Sequence, residues 1–136
     1  MKKIILLVLS LILLVGCSKI NEASLIGSYQ DINSHSATMS ISKGANGLDI
    51  VVEWYMEPSK ESIWYMTGKI DGNKIVYSDC KKITRVLIDD FEYSTVEYTS
   101  KSGSFSFKND KLFWIGAYDL ECSNCKFEKI KGASND

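Results

Sequence analysis

The chain has 136 residues, is 45% hydrophobic and 11% aromatic, holds a single proline and carries a net charge of −1. That length suits one ordinary domain and excludes several, and the composition excludes a disordered stalk. The near balance of charge provides no basic face of the kind that nucleic-acid binding requires.

Met1-Lys2-Lys3 is basic, Ile4 to Val15 is an apolar run broken only by Ser10, and Gly16 and Cys17 follow. A basic start, an apolar core of roughly 7–15 residues and a small residue before a cut are the parts of a secretory signal. The run is shorter than the roughly 20 residues that a membrane-spanning helix needs. Leu14-Val15-Gly16-Cys17 resembles the lipobox of bacterial lipoproteins. The resemblance implies that the Cys17 thiol receives a diacylglyceryl group and that residues 1–16 are removed. Acyl chains would then hold the mature chain on the extracytoplasmic face of the cell membrane. Without residues 1–16, which carry Lys2 and Lys3 and no acid, 120 residues remain with 14 basic and 17 acidic side chains, a net charge of −3. No polybasic clamp for anionic lipid is present in that balance. Residues 17–24, with Ser18 to Ser24 polar and without periodicity, are expected to be a tether that reaches only about 15 Å on average. The domain is expected over residues 25–131, close to the membrane, and a disordered tail over 132–136.

From Gly27 onward the dominant period is two, the mark of half-buried strands. Met39 and Ile41 mark one strand, and Lys43 to Gly47 a glycine-rich turn after it. In Leu48–Glu57 the residues Leu48, Ile50, Val52, Trp54 and Met56 share a face, with Asp49, Glu53 and Glu57 opposite. After Glu57 to Lys60, Ser62–Ile70 places Trp64, Met66 and Ile70 on one side. Asp71-Gly72-Asn73 is a hairpin signal leading into a strand over Lys74–Asp79. Lys82–Asp90 reads as a helical turn or another strand. Further strands are expected at Tyr93–Ser100, Ser104–Lys108, Lys111–Ile115 and Lys126–Ile130, with Lys108-Asn109-Asp110 as a turn. The fold class is therefore all-β, an antiparallel up-and-down meander of eight or nine strands. Closure into a barrel removes exposed edges; a two-sheet sandwich is the alternative.

Gly27-Ser28-Tyr29 resembles the Gly-x-Trp opening of lipocalin-like barrels, with tyrosine in place of tryptophan. Trp64, Gly68 and Tyr77-Ser78-Asp79, then Gly103 to Phe107, Leu112-Phe113-Trp114 and Phe127-Glu128-Lys129 are similar to small, uncharacterised exported β-barrel domains of Gram-positive bacteria. The resemblance runs over about residues 25–131. It implies a fold and an address, and transfers no catalytic residue. Where that group usually has glycine after Tyr-Ser-Asp, this chain has Cys80, which suggests a disulfide from Cys80 to Cys122 or Cys125.

Read on their own, Cys80, Cys122 and Cys125 allow one disulfide, within the Cys122–Cys125 pair or to Cys80, with one thiol left over. A redox Cys-x-x-Cys wants a helix amino terminus after a strand, a context this sequence lacks. His35, the only histidine, lies in a polar turn between Asn33 and Ser36, and nothing brings it to the cysteines as a zinc site or to a serine as a triad. Asp89, Asp90 and Glu92, and Asp119 with Glu121, read as solvated loop acids, without the ligand spacing of a calcium loop. No metal, cofactor or catalytic residue is expected. Trp54, Trp64 and Trp114 alternate inward with Met56, Met66, Tyr98, Phe105, Phe107 and Leu112. An eight-stranded barrel is just wide enough for such side chains or for one small ligand, and so many bulky groups favour a packed core.

The expectation is a non-enzymatic, membrane-anchored binding or shielding module with an unidentified small-molecule or protein ligand. A second reading comes from Tyr98 to Ser104 followed by Phe113-Trp114-Ile115-Gly116. These are similar to the Ser-Gly…Trp-x-x-Gly stretch of membrane-bound lysozyme inhibitors, without that family's lysine before the last glycine. It would present Lys101, Ser102 and Gly103 on an exposed loop against a hydrolase.

Overall fold

A computed structural model describes residues 20–117 and 122–131. Cys17 with the rest of the lipobox, Asp119, Glu121 and the tail at 132–136 lie outside the described residues. One helical turn, α1 (Glu22–Leu25), precedes eight strands: β1 (Gly27–Asp31), β2 (Ala37–Lys43), β3 (Leu48–Glu57), β4 (Lys60–Asp71), β5 (Lys74–Ile88), β6 (Phe91–Lys108), β7 (Lys111–Ile115) and β8 (Lys126–Lys129). They pair antiparallel in chain order, and β8 returns to β1 to close the barrel. The expected lipocalin-like meander is thus the fold, and closure excludes the sandwich.

Alternation builds it. In β3, Leu48, Ile50 and Val52 are buried while Asp49 between them is exposed, and in β4 Trp64, Met66 and Gly68 face inward. The hairpins turn where short polar residues tolerate positive φ. Gly72 sits at φ 63°, Asn109 and Asp110 at 53° and 61°, Asp89 and Asp90 at 49° and 64°. The last two pairs have the left-handed conformation at both central positions that a type I′ turn requires.

Three expectations change. Lys74–Asp79 and Lys82–Asp90 form one strand, as do Tyr93–Ser100 and Ser104–Lys108. The cause is bulging: the β5–β6 register shifts between Tyr77 and Cys80, between Cys80 and Lys82, and between Lys82 and Ile83. Each shift resets the two-residue phase without ending the strand. Ser100, at φ 56°, lies in the bulged stretch of β6. At the matching irregularity between β4 and β5 the Asp79 carboxylate accepts the Thr67 N–H at 2.8 Å, replacing a ladder bond. Finally, the tether is not featureless to Ser24. The Asn21 side chain caps α1 by accepting from Ala23 N–H at 3.0 Å, Leu25 is fully buried, and Ile20 packs against the core.

The seam between β1 and β8 has three residue pairs, Tyr29–Lys129, Gln30–Glu128 and Asp31–Phe127. At one end the buried Asp31 carboxylate gathers the N–H groups of Asn33 at 3.2 Å, Ser34 at 2.9 Å and Lys126 at 2.9 Å, together with the Ser34 hydroxyl. At the other, Tyr29 donates its hydroxyl to the Leu25 carbonyl at 2.6 Å. The Lys129 side chain crosses Gly27, where a Cβ would meet its Cε at 2.6 Å, to donate to the Ser24 carbonyl at 3.0 Å.

Burial alone would raise the Asp31 pKa, but the hydrogen bonds from Ser34, Lys126 and Asn33 outweigh it and hold the group below its ordinary value. A depressed folded pKa means stabilisation that is present above the unfolded value of about 3.9 and is lost as pH falls through the folded value. Asp31→Ala is expected to cost about 3 kcal/mol, since hydrogen bonds to charged groups contribute about 1.5–3 kcal/mol each. Chemical denaturation from pH 7 down to pH 2 checks this: the wild type should lose stability below about pH 4, and Asp31→Asn should lose less.

Candidate functional site

The barrel interior is filled by aromatic rings. Trp64 meets Trp114 edge-on at 5.4 Å between centroids, and Phe105 stacks on Trp114 at 5.2 Å. Tyr77 and Phe127 pack on Phe105 at 5.9 and 6.4 Å. Both indole N–H groups have acceptors: Trp114 donates to the Tyr77 hydroxyl at 2.7 Å and Trp64 to the Tyr98 hydroxyl at 2.9 Å. Burial pushes the Tyr77 pKa up to about 12, against the lowering effect of the Trp114 bond, so the phenol stays neutral and available as an acceptor. Lys82, also buried, places its ammonium 5.2 Å from the centre of the Trp64 ring, the separation at which a cation is drawn to an aromatic face. Trp54 departs from the expected shared core. It is half-buried against the rim and lines a small groove with Asp31, Asn33 and Asn124.

The structure also moves the residues assigned to a partner loop. Lys101, Ser102 and Gly103 lie inside β6, where Lys101 pairs with Cys80 and Gly103 with Tyr77. Gly103 is there for packing: a Cβ would collide with the Tyr77 hydroxyl and ring. An aromatic lying over a cross-strand glycine is a familiar way to pin register. No exposed loop exists at these residues, so the geometry required for hydrolase inhibition through them is absent.

Of the two pairings open to the cysteines, the local one forms. Cys122 and Cys125 form the disulfide, with their Cα atoms 4.9 Å apart. Cys80 stays a buried thiol. The expected bond from Cys80 fails because the chain does not turn there; Cys80 sits within β5, inward-facing among the core side chains. The loop closed by Cys122–Cys125 is short, so chain entropy assigns it about 2 kcal/mol, against about 4 for a bond closing roughly 40 residues. His35 is exposed at φ 59° in the β1–β2 turn. Asp89 and Asp90 are the two residues of the β5–β6 turn, and no group of three metal-ligating side chains occurs among the described residues.

Two larger concavities lie among the described residues. One, of about 820 Å³, is at the end where the chain comes in, between Ile20, Tyr29, Phe107 and Lys129. The other, of about 710 Å³, runs beside β7 between Asn33, Phe113, Trp114 and Lys126.

A different feature was not legible as a site in the sequence. Beyond the barrel, β5 and β6 continue as a hairpin arm. β6 pairs with β7 only from Ser104 to Lys108, yet with β5 as far as Phe91. The β3–β4 hairpin supports the arm on one side, through pairs from Lys60–Val86 to Tyr65–Lys81 and the Leu87 N–H to Ser59 carbonyl bond of 2.8 Å. Directly opposed residues share a face. On one face stand Val86 with Tyr93 and Ile88 with Phe91; on the other, Ile63, Ile83 and Val96 form a row across three strands. Arg85 pins that second face with ion pairs to Glu61 at 2.8 Å and Glu92 at 3.2 Å. The arm leaves Leu87, Ile88, Phe91, Tyr93 and Val96 about half exposed or more, with Phe91 at 67%. Isolated apolar residues on a surface need no explanation, but five on one hairpin do.

Truncating Trp64 or Trp114 to Ala is expected to cost about 3–5 kcal/mol, as large buried aromatics do. Trp54→Ala should cost on the order of 1 kcal/mol, a typical value for a point substitution. Urea unfolding followed by far-ultraviolet circular dichroism separates the two classes. Comparison of the chain with protein families, with curated proteins and with solved structures finds no match, so the reading of function rests on the geometry just described.

Proposed function

We propose that the chain is a membrane-anchored, surface-exposed lipoprotein whose barrel is a non-enzymatic binding module, and that the arm rather than the barrel interior makes the contact. The observation that carries the second part is the contrast between the two. Trp64, Trp114, Phe105 and Phe127 fill the inside, while Phe91 and Tyr93 stand exposed on a hairpin that, among the described residues, has a neighbouring strand on one side only. Aromatic side chains are the usual anchors of protein–protein contacts because they bury much area at small entropic cost. The anchoring part is supported by Leu14 to Cys17 and by the basic and apolar segments before them.

Strand direction adds a further support. The chain comes in at Gly27, beside Ile41 and the β2–β3 turn, whereas the β5–β6 turn at Asp89 and Asp90 caps the other end of the barrel. An anchor at Cys17 would leave the arm pointing away from the membrane.

Two measurements test the reading. Cys17→Ser is expected to abolish labelling by a fatty-acid probe and to leave an uncleaved precursor, because the thiol is the acyl acceptor, and the lost chains would take with them about 0.8 kcal/mol of membrane binding per buried CH₂; continued labelling would contradict anchoring. A photoreactive residue at Phe91 in living cells should trap a protein adduct, and solvent extraction of the purified chain should release no stoichiometric small molecule. An extracted ligand with no adduct would move the binding site into the barrel.

A further inference from the structure

We infer that the open edge of β6 from Phe91 to Val96 is a docking strand for a second copy of this chain, pairing antiparallel about a twofold axis near Ser94 and Thr95. The inference rests on the reading of the arm as the binding face and names its partner.

The edge follows from the turn. In a two-residue type I′ hairpin the flanking pair, here Ile88 and Phe91, exchanges both main-chain hydrogen bonds. Phe91, Tyr93 and Thr95 therefore aim their N–H and C=O groups at β5, and Glu92, Ser94 and Val96 aim theirs the other way. Among the described residues no strand pairs with that outward side between Phe91 and Val96. Natural edges are blunted by proline, lysine or bulges. This stretch, Phe-Glu-Tyr-Ser-Thr-Val, has no proline or lysine, and its register with β5 is unbroken from Phe91 to Val96. It is an open template for strand addition.

Charge favours a second copy as the occupant. With the outward groups of one copy bonding those of the other, the twofold axis passes through Ser94 or Thr95. Centred on Ser94, Glu92 opposes Val96 and Glu97 opposes Phe91; centred on Thr95, Glu92 opposes Tyr98 and Glu97 opposes Tyr93. In neither register do the glutamates meet each other, and like charges directly opposed are what destabilises a strand pair. A lipid surface is a poorer occupant, because the tip carries Asp89 and Asp90 with Glu92 behind them, all exposed and all acidic. Aromatic side chains bury about 150–250 Å² each, so the exposed parts of Phe91, Tyr93 and Val96 on the edge strand contribute on the order of 300 Å² per copy. That is less than half of the roughly 800 Å² per partner of a standard interface, and the main-chain edge adds to it, which points to a weak, reversible dimer. The contact is isologous, so the dimer closes and does not propagate into fibres.

The test is sedimentation velocity of the full chain in detergent over a range of concentrations, with two edge variants. Ser94→Pro removes an outward N–H without touching the ladder to β5, and Ser94→Asp places like charges at the axis while standing opposite the cationic Arg85 of its own sheet. The wild type is expected to dimerise, and each variant to raise the dissociation constant at least about tenfold, which corresponds to 1.4 kcal/mol. The unfolding midpoint of the barrel should be unchanged in both. A wild-type dimer that survives both variants would overturn edge pairing. A monomeric wild type whose residue 91 crosslinks to a different protein would overturn the second copy as partner while leaving the arm as the binding face. A monomeric wild type without any adduct would overturn both.

Discussion

The Asp31 carboxylate collects hydrogen bonds from both sides of the junction where the last strand meets the first, and the rest of the molecule depends on that junction. β8 has four residues and pairs with β1 over only three positions. A ladder so short binds weakly by itself. Asp31 adds the Lys126 N–H from β8 to the Asn33 and Ser34 groups of its own turn, and the Asn33 side chain donates to the Asn124 carbonyl at 2.7 Å. The β1–β2 turn thereby becomes a clasp on the segment leading into β8. If it opened, β1 and β8 would become edges, and Phe127, fully buried against Phe105, would meet water.

Closure also decides where function can reside. Bulky side chains can fill an eight-stranded barrel, and here the rings of Trp64, Trp114, Phe105 and Tyr77 pack together, with both indole N–H groups satisfied by Tyr77 and Tyr98. The proposed recognition therefore falls to the outer surface. Strand lengths create the most distinctive part of that surface. β5 and β6 have 15 and 18 residues, whereas β7 has 5, so the sheet closes along part of the two long strands and continues past it as the arm. Bulges near Cys80 and Lys82 bend the strands as they leave the barrel, and the Glu61–Arg85–Glu92 ion pairs tie the outer strands of the arm together.

Much of this was legible in the sequence, and the misreadings share a cause. Alternation in Leu48–Glu57 and Ser62–Ile70 and the turn chemistry of Asp71-Gly72-Asn73 and Lys108-Asn109-Asp110 are local signals, and the barrel follows from them. Bulges are not local. Tyr77 and Cys80 both face inward although they are three residues apart, so a strict period of two stops at Asp79 and reads as a strand end. That phase error ended a strand before Cys80, where the departure from glycine then suggested a distant disulfide partner, and the same effect in β6 left Lys101 to Gly103 between two strands, where the likeness to lysozyme inhibitors read them as an exposed loop. The arm was hidden for another reason. Leu87, Ile88, Phe91, Tyr93 and Val96 look like core residues by type, and only the shortness of β7 reveals that, among the described residues, β6 has no partner strand on its outer side there. The clasp at Asp31 was equally silent, since its partner Lys126 is 95 positions away.

The central claim is that a closed, packed barrel carries a preformed arm whose β6 edge is open, and amide hydrogen exchange of the dilute full chain tests it most directly. The predicted result is slow exchange at Gln30, Ile32, Glu128 and Ile130, whose amides bond across the seam, and slow exchange at Phe91, Tyr93 and Thr95 in the arm. Fast exchange should occur at Glu92, Ser94 and Val96 alone among these, because only those amides point away from β5. Uniformly fast exchange from Phe91 to Val96 would contradict the account, since the arm would then be an unstructured loop and not a sheet with an edge to offer.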